Sequence, residues 1–407
     1  MKTFRSHVGI ISLVVCLSLP FFVPSAWGAY PPAFLFKWGS SGTGDGQFAG
    51  PDGVAVDFEG YIYIADKLNN RIQKFGSTGA FVAQWGSAGT GDGQFNNPRG
   101  IAADTEGNIY VADYNNHRIQ KFDRNGNFLL KWGSQGSGDG EFSYPYHIAV
   151  NDYIVWVSDS GNARIQLFKH DGTFNGKFGS PGTGDGQFNL PRGIALNSNG
   201  DLYVVDSGNN RIQRFGGASN FVSKWGTSGA GDGQFNMPYD IAVDSSGNVY
   251  VTDFNNNRIQ KFTSGGALVA KWGSSGAGDG QFANPEGITV DSSGNVYVVD
   301  YNNNRIQKFA QPQTACRNDF DGDGIPDIVV FRWTEGTWYI RKSSDGGYKA
   351  IRWGTAGDIP VPADYDGDGI TDVAVFRPLT GTWYILKSSD GGFMAIQWGT
   401  NGDTPIY

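Results

Sequence analysis

One block of residues recurs six times along this chain. The tripeptide Arg-Ile-Gln stands at Arg71, Arg118, Arg164, Arg211, Arg258 and Arg305, at intervals of 47, 46, 47, 47 and 47 residues. Each copy is framed by Gly-Asp-Gly-Gln-Phe or a close variant, a proline, an Ile-Ala-Val-Asp-like run, a Tyr-Val-x-Asp-like run and a closing Lys-Trp-Gly. A period this long, made of short apolar runs split by glycine turns, specifies stacked β units rather than one irregular core.

Residues 98–132 illustrate one unit. Gly100 to Asp104 reads as a first strand, 105–108 as a tight turn, Ile109 to Asp113 as a second strand, Arg118 to Phe122 as a third and Phe128 to Trp132 as a fourth. Four strands in about 45 residues match a propeller blade. Apolar side chains fall on both faces of a strand (Ile109 and Val111, Tyr110 and Ala112), as a blade sandwiched between two others requires. Units one to five end at Trp85, Trp132, Phe178, Trp225 and Trp272, whereas the sixth stops after Phe309 with no fourth strand. The missing strand is at the other end, in the run from Ala33 to Gly39. Pairing it with Arg305 to Phe309 closes a ring that would otherwise leave two raw edges. The expectation is an all-β chain with a six-bladed propeller over 29–310, a linker over 311–318 and a smaller β module over 319–407.

The motifs Gly-Gln-Phe-x-x-Pro-x-Gly-Ile-Ala-Val-Asp, Asn-x-Tyr-Val-x-Asp and Asn-x-Arg-Ile-Gln-Lys-Phe together resemble NHL repeats, over about residues 33–309. The Asn-His pair typical of such repeats stands only at Asn116-His117, so the resemblance makes that histidine dispensable to the fold. Asp66, Asp113, Asp159, Asp206, Asp253 and Asp300 each lie five residues before an Arg-Ile-Gln arginine. Across a hairpin this spacing suits a carboxylate that binds turn amides and the guanidinium, a structural device. Phe48, Phe95 and their equivalents are expected to wedge between blades.

Residues 1–28 carry Lys2 and Arg5, an apolar run from Val8 to about Val23, and the small-residue stretch Ser25-Ala26-Trp27-Gly28. This pattern predicts a secretory signal cut after Gly28, the alternative being an uncleaved anchor. Without it the chain has 29 basic against 39 acidic side chains, a net of −10. Such a chain is a poor binder of nucleic acid, whose phosphates need a positive surface. Cys316 is then the only cysteine, so no internal disulfide forms. No later stretch is long and apolar enough to span a bilayer. A secreted, periplasmic or cell-surface protein is expected.

Strand direction alternates, so the loops after second and fourth strands share one face, and the residues leading into the innermost strands ring the channel there. At these places the uniform block becomes varied: Asp52-Gly53, Arg99-Gly100, Tyr146-His147, Arg192-Gly193, Tyr239-Asp240 and Glu286-Gly287. Asp52, Arg99, Tyr146, His147, Arg192, Tyr239, Asp240 and Glu286 are therefore the candidate ligand-binding residues, against the simpler reading of unconstrained surface drift. Tyr114, Phe254 and Tyr301 on neighbouring loops extend the surface toward a protein, peptide or glycan. No residue is assigned a catalytic role. Some exported propellers of similar sequence resemble a peptide-amidating lyase that holds zinc with channel histidines. The three histidines after residue 28 are His117, His147 and His170, and His170 falls in a turn of the opposite face, too few for a three-histidine zinc site. The alternative reading is a propeller lyase or hydrolase, amidating-lyase-like or lactonase-like, with a metal at the channel mouth.

A second repeat, of period 45, follows the linker. Asp319-Phe320-Asp321-Gly322-Asp323-Gly324-Ile325-Pro326-Asp327 returns as Asp364-Tyr365-Asp366-Gly367-Asp368-Gly369-Ile370-Thr371-Asp372. Alternating carboxylates with glycines between them fold round a hard cation. The twelfth position is Val330 or Val375, so this is no EF-hand. It resembles the calcium loop of FG-GAP or VCBS-type repeats. The resemblance implies calcium held by Asp319, Asp321, Asp323 and Asp327 with the carbonyl of Ile325, and by Asp364, Asp366, Asp368 and Asp372 with that of Ile370. The affinity expected is of extracellular type, about 10⁻⁴ to 10⁻³ M.

Overall fold

Each arginine block folds as the sequence spacing requires, into a strand hairpin pinned at its tip. The computed structural model describes residues 32–217, 219–310, 318–323, 325, 327–332 and 334–397. The expected secretory segment lies outside the described residues, as does the linker except Asn318. The described residues fall into two compact units, 32–310 and 318–397.

The first unit is a β-propeller of six four-stranded antiparallel sheets. The first blade runs Pro51–Val56, Ile62–Asp66, Arg71–Phe75 and Phe81–Trp85, and four more follow in the same order. The last holds Pro285–Val290, Val296–Asp300 and Arg305–Ala310, and its outer strand is the N-terminal Ala33–Trp38. Register runs from Ala33 opposite Ala310 to Trp38 opposite Ile306.

The core lies between blades. Tyr63, Ala65 and Ile72 of the first pack against Phe95, Ile101, Ile109 and Val111 of the second. The first and last blades share a core of the same kind: Phe48, Val54, Ile62 and Ile64 against Tyr297, Val299 and Ile306. The six phenylalanines of the interblade loops, Phe48 to Phe282, have no exposed surface.

The aspartate–arginine device is built as the spacing suggests. Asp66 Oδ1 accepts from the Ala49 amide (2.8 Å) and Oδ2 from Arg71 Nε (2.7 Å), while Arg71 also donates to the carbonyls of Thr43, Gly44 and Gln47. Asp113, Asp159, Asp206, Asp253 and Asp300 repeat the arrangement. Each guanidinium thereby fastens its own hairpin to the loop leading into its blade.

The Asn-His position has a job that the sequence comparison undervalued. After each aspartate comes a short 3₁₀ turn, closed by a residue with φ near +50° at Asn70, His117, Ala163, Asn210, Asn257 or Asn304. Asparagine tolerates that left-handed conformation better than most residues. Its side chain then reaches across to the following blade. Asn70 accepts from the amide of Asn97, Asn210 from Met237, Asn257 from Asn284 and Asn304 from Gly50, each at 2.8 Å, and His117 Nδ1 does the same for Tyr144 (3.1 Å). His117 is thus one of five interblade staples, replaceable by asparagine rather than dispensable. Ala163 cannot staple, and the Leu190 amide is left without that acceptor. Ala163→Asn should stabilise the propeller by about 1–2 kcal/mol, from one hydrogen bond and a relieved backbone. Thermal denaturation checks this, and a lowered Tm would contradict it.

The second unit holds two sheets. One comprises Ile328–Arg332, Thr337–Arg341 and Tyr348–Arg352, the other Ile359–Pro360, Val373–Arg377, Thr382–Leu386 and Phe393–Gln397. Trp338 and Ile340 of one pack against Val373 and Val375 of the other. Among the described residues no helix is long and apolar enough to cross a membrane.

Candidate functional site at the channel mouth

Six prolines start the six inner strands, and the residue after each of them turns into the same small space. The structure brings together all six side chains expected there. Arg99 Nη1 donates to Asp52 Oδ2 (3.1 Å) and to the hydroxyls of Tyr146 (2.7 Å) and Tyr239 (2.9 Å), and the Tyr239 hydroxyl donates to Asp52 Oδ2 (2.9 Å). The rings of Tyr146 and Tyr239 meet edge to face, 5.4 Å between centroids. The Arg192 guanidinium lies over both, at 5.3 and 4.8 Å.

Sequence reasoning missed the central cation, Lys67. It is 5% exposed, its ammonium 3.4 Å from both Asp52 and Glu286 and 4.2 Å from the centre of the Tyr301 ring. The signal was present in the repeat alignment. The place after the conserved-in-register aspartate holds Lys67, Tyr114, Ser160, Ser207, Phe254 and Tyr301, and only one of these is charged.

Burial and charge set the protonation states. Burial pushes the Asp52 carboxyl up, but the nearby Lys67 and Arg99 outweigh it and hold Asp52 below the usual carboxylate range. Burial, followed by repulsion from Asp52, pushes Glu286 well above that range, beyond what Lys67 and Arg99 offset. Asp52, Lys67, Arg99, Tyr146, Tyr239 and Glu286 therefore form one connected polar network that closes the mouth. On its rim Tyr114 stacks under Arg99 (4.2 Å) and Phe254 against Tyr239 (5.4 Å), joining the expected loop aromatics to the cluster. Leu68, Tyr144 and Leu190 stand beside them, 56%, 42% and 44% exposed.

One residue further in, four blades carry glycine because the inner strands converge. A Cβ on Gly53 would come within 2.4 Å of the Arg99 carbonyl, and one on Gly287 within 2.3 Å of that of Asp52. His147 and Asp240 break the rule with support. Ser158 Oγ accepts from the His147 amide and Thr252 Oγ1 from the Asp240 amide, each at 2.8 Å. The glycine blades hold Ala65, Ala112, Val205 and Val299 at that place, so the hydroxyls accompany the substitutions.

Between these two blades Gly193 leaves the space open; its Cβ would sit 2.4 Å from Asp240 Oδ1. Across that gap His147 Nε2 faces Asp240 Oδ1 at 3.3 Å without hydrogen-bond geometry, and among the described residues neither atom has another partner. His147 Nδ1 accepts from the Ile194 amide (3.4 Å), which assigns the ring proton of the neutral form to Nε2, toward the carboxylate. Burial pushes the Asp240 carboxyl up, and the charge of His147 opposes it. The other two histidines lie elsewhere: His117 in its staple, and His170 beside Asp104 and the Asn151 carbonyl at the far turns.

The two aspartate loops form a second candidate site, in the other unit. Carboxylate oxygens of Asp319, Asp321 and Asp327 lie within 4.8 Å of one another, as do those of Asp364, Asp366 and Asp368. Asp323 instead accepts from Ser343 Oγ (2.8 Å), and Asp372 from the amides of Tyr365 and Ser388. The serine pairs were overlooked as well. Ser344 Oγ donates to Asp321 and Ser389 Oγ to Asp366, both at 2.6 Å, from a Lys-Ser-Ser-Asp-Gly-Gly block that repeats at the same period of 45. Ser343 and Ser388 hydroxyls reach the carbonyls of Ile325 and Ile370.

Comparison with known proteins agrees with this architecture. NHL repeat matches cover residues 95–122, 188–215, 235–262 and 282–309, and an FG-GAP-like repeat match covers 319–375. Rattus norvegicus E3 ubiquitin-protein ligase TRIM71 is 50% identical over 46 residues, 11% of this chain and 5% of that protein. Among solved structures, a Bacteroides thetaiotaomicron VPI-5482 protein of unknown function superposes with a TM-score of 0.52 at 16% identity, over 67% of this chain and 74% of that one. The gluconolactonase XC5397 of Xanthomonas campestris gives 0.50 at 15% identity, over 70% and 98%. At such identities the likeness is one of fold.

Proposed function

From a chain that carries NHL repeats on a β-propeller and an FG-GAP-like repeat beyond it, we propose an exported, non-catalytic recognition protein. Its channel-mouth face takes a protein, peptide or glycan, and calcium stiffens the C-terminal repeats. The observation that carries this reading is the connected polar network at the centre of the mouth. Asp52, Lys67, Arg99, Tyr146 and Tyr239 are hydrogen-bonded or ion-paired to one another, which suits a rigid platform better than a proton-transfer centre. Around them the exposed Leu68, Tyr144 and Leu190 supply the apolar area that a partner would cover. Protein, peptide and glycan arrays probed with the purified chain test the reading. Capture that falls at least tenfold in a Tyr114→Ala/Tyr144→Ala variant is expected, and capture indifferent to that change would refute it.

A second reading, a propeller lyase or hydrolase, has one observation in its favour: the supported pair His147 and Asp240, with two buried polar atoms facing each other unpartnered. Anomalous diffraction from crystals soaked in zinc and in calcium separates the two readings. Ions confined to the aspartate loops favour recognition; an ion between His147 and Asp240 favours the enzyme.

The calcium proposal carries its own expectation. At free calcium 10 to 100 times the dissociation constant, binding should stabilise the C-terminal unit by about 1.4–2.7 kcal/mol. Asp321→Asn/Asp366→Asn should abolish most of that gain. A melting profile unmoved by millimolar calcium and by a chelator counts against it.

A further inference from the structure

The rim of the mouth is not uniform. Four of the six 3₁₀ turns begin with large pairs, Lys67-Leu68, Tyr114-Asn115, Phe254-Asn255 and Tyr301-Asn302. The two others, in the adjacent third and fourth blades, both begin Ser-Gly, at Ser160-Gly161 and Ser207-Gly208. The same sector holds Ala163, the one left-handed position without a staple. Beside these turns lies a hollow of about 370 Å³, lined among others by Ser160, Gly161, Ala163, Thr183, Phe188 and Leu190. Leu190, whose amide lacks the interblade staple, belongs to this wall.

Two residues along from Leu190 stands Arg192. Of the three cations at the mouth, Lys67 and Arg99 have Asp52 and Glu286 as partners. Among the described residues Arg192 has no carboxylate partner and donates no hydrogen bond; the faces of Tyr146 and Tyr239 hold it. A half-buried guanidinium fixed over two rings, with its donors free, is arranged to receive a planar anion in two-point contact.

We propose that this sector binds the C-terminal end of a peptide. The terminal carboxylate pairs with Arg192, and the last side chain, an apolar one, enters the hollow beside Leu190. A chain terminus fits because carboxylate and last side chain share one Cα, and Arg192 and Leu190 are only two residues apart, which keeps their Cα atoms within about 7 Å. A glycan is less well suited, since the Ser-Gly turns remove from this sector the flat aromatic rims that sugars stack on. The inference rests on the recognition reading given above and narrows it to one place and one ligand chemistry.

The test is a fluorescent peptide library with its last four residues randomised, made once as free acids and once as C-terminal amides. Free acids ending in Leu, Ile, Val or Phe should bind, and their amides should bind at least tenfold more weakly. Arg192→Gln should lose binding by a similar factor while keeping the parental Tm, since this side chain makes no hydrogen bond in the fold. Ala163→Asn should raise Tm yet weaken binding, because the new side chain both staples the blades and intrudes on the hollow. Equal binding of acids and amides overturns the proposal, as does affinity unchanged in Arg192→Gln. If those variants keep a capture that Tyr114→Ala/Tyr144→Ala abolishes, recognition stands and this sector does not carry it. Absence of capture from every array defeats both readings together. An internal aspartate that binds as well as a free terminus overturns the assignment to a chain end.

Discussion

Removal of residues 33–39 should lower the propeller's Tm by about 10–20 °C, the largest effect expected of any short deletion in this chain. Three losses add. The last blade keeps three strands, and the outward side of Arg305–Ala310 becomes an unpaired edge. Phe34 leaves Phe309 (5.9 Å between ring centres), and Trp38 leaves Phe75 (5.9 Å) and Tyr297 (6.3 Å). Withdrawing two such aromatics from packed surroundings costs about 3–5 kcal/mol each as a truncation. The ion pair of Lys37 with Asp279 is exposed and adds little. Because Phe34 and Trp38 are only partly buried, the total falls below that sum, to about 5 kcal/mol, which at about 2–4 °C per kcal/mol for a unit of this size or slightly less gives the stated range. Scanning calorimetry of the shortened chain beside the parent decides it. A Tm within about 2 °C of the parent's would mean that the ring does not depend on its N-terminal strand.

The second large effect concerns Lys67. Lys67→Met leaves Asp52 and Glu286 buried against each other without the cation between them, and should cost about 3–5 kcal/mol at pH 8. The double variant Lys67→Met/Glu286→Gln should recover most of this, since a neutral amide no longer repels Asp52. The single change Glu286→Gln has a pH signature whose sign follows from linkage. Glu286 holds its proton more tightly folded than unfolded, so below the unfolded carboxyl range folded and unfolded states are equally protonated. As pH rises through that range the unfolded chain releases the proton first, and folding stability falls until the folded group also ionises. Glu286→Gln removes this fall, so its advantage over the parent should be small at pH 4 and grow toward neutrality. Asp52 works oppositely: its lowered value contributes stability that is present above the unfolded carboxyl range and is lost as acid protonates it. Urea midpoints at pH 4, 6 and 8 for the parent and three variants measure all of this. If Lys67→Met unfolds at the parental midpoint at pH 8, the mouth is not held by its charges.

What could be read from the sequence, and what could not, divides by the range of the interaction. Blade number, the borrowed N-terminal strand and the aspartate–arginine hairpins follow from period and local spacing, and the fold follows them. The ring of residues at the mouth was legible because symmetry carries equivalent positions to one axis. Its electrostatic closure was not. Whether Arg99 finds Asp52 or stands free depends on which of six blades faces which across the channel, and a linear repeat does not encode that directly. Lys67, Ser158 and Thr252 were nonetheless visible in hindsight, as departures at two aligned positions, those just after and just before the hairpin aspartate. The aspartate loops show the converse. Their nine-residue motif named the carboxylates but not the serines that share their oxygens, Ser343 on Asp323 and Ser388 on Asp368, which stand 20 residues further along.

The borrowed strand also imposes an order on biosynthesis. Its partner, Arg305–Ala310, is made roughly 270 residues later, which at the usual 5–20 residues per second is a wait of about 14–54 s. Throughout that interval the ribosome-bound chain displays Arg71–Phe75, an earlier copy of the same Arg-Ile-Gln-Lys-Phe acceptor, to a donor whose Lys-Trp-Gly ending matches those of its own outer strands. Correct assembly therefore requires the first blade to capture Phe81–Trp85 before the early strand does. A chain that loses this race would grow with one blade wrongly capped and its final edge bare.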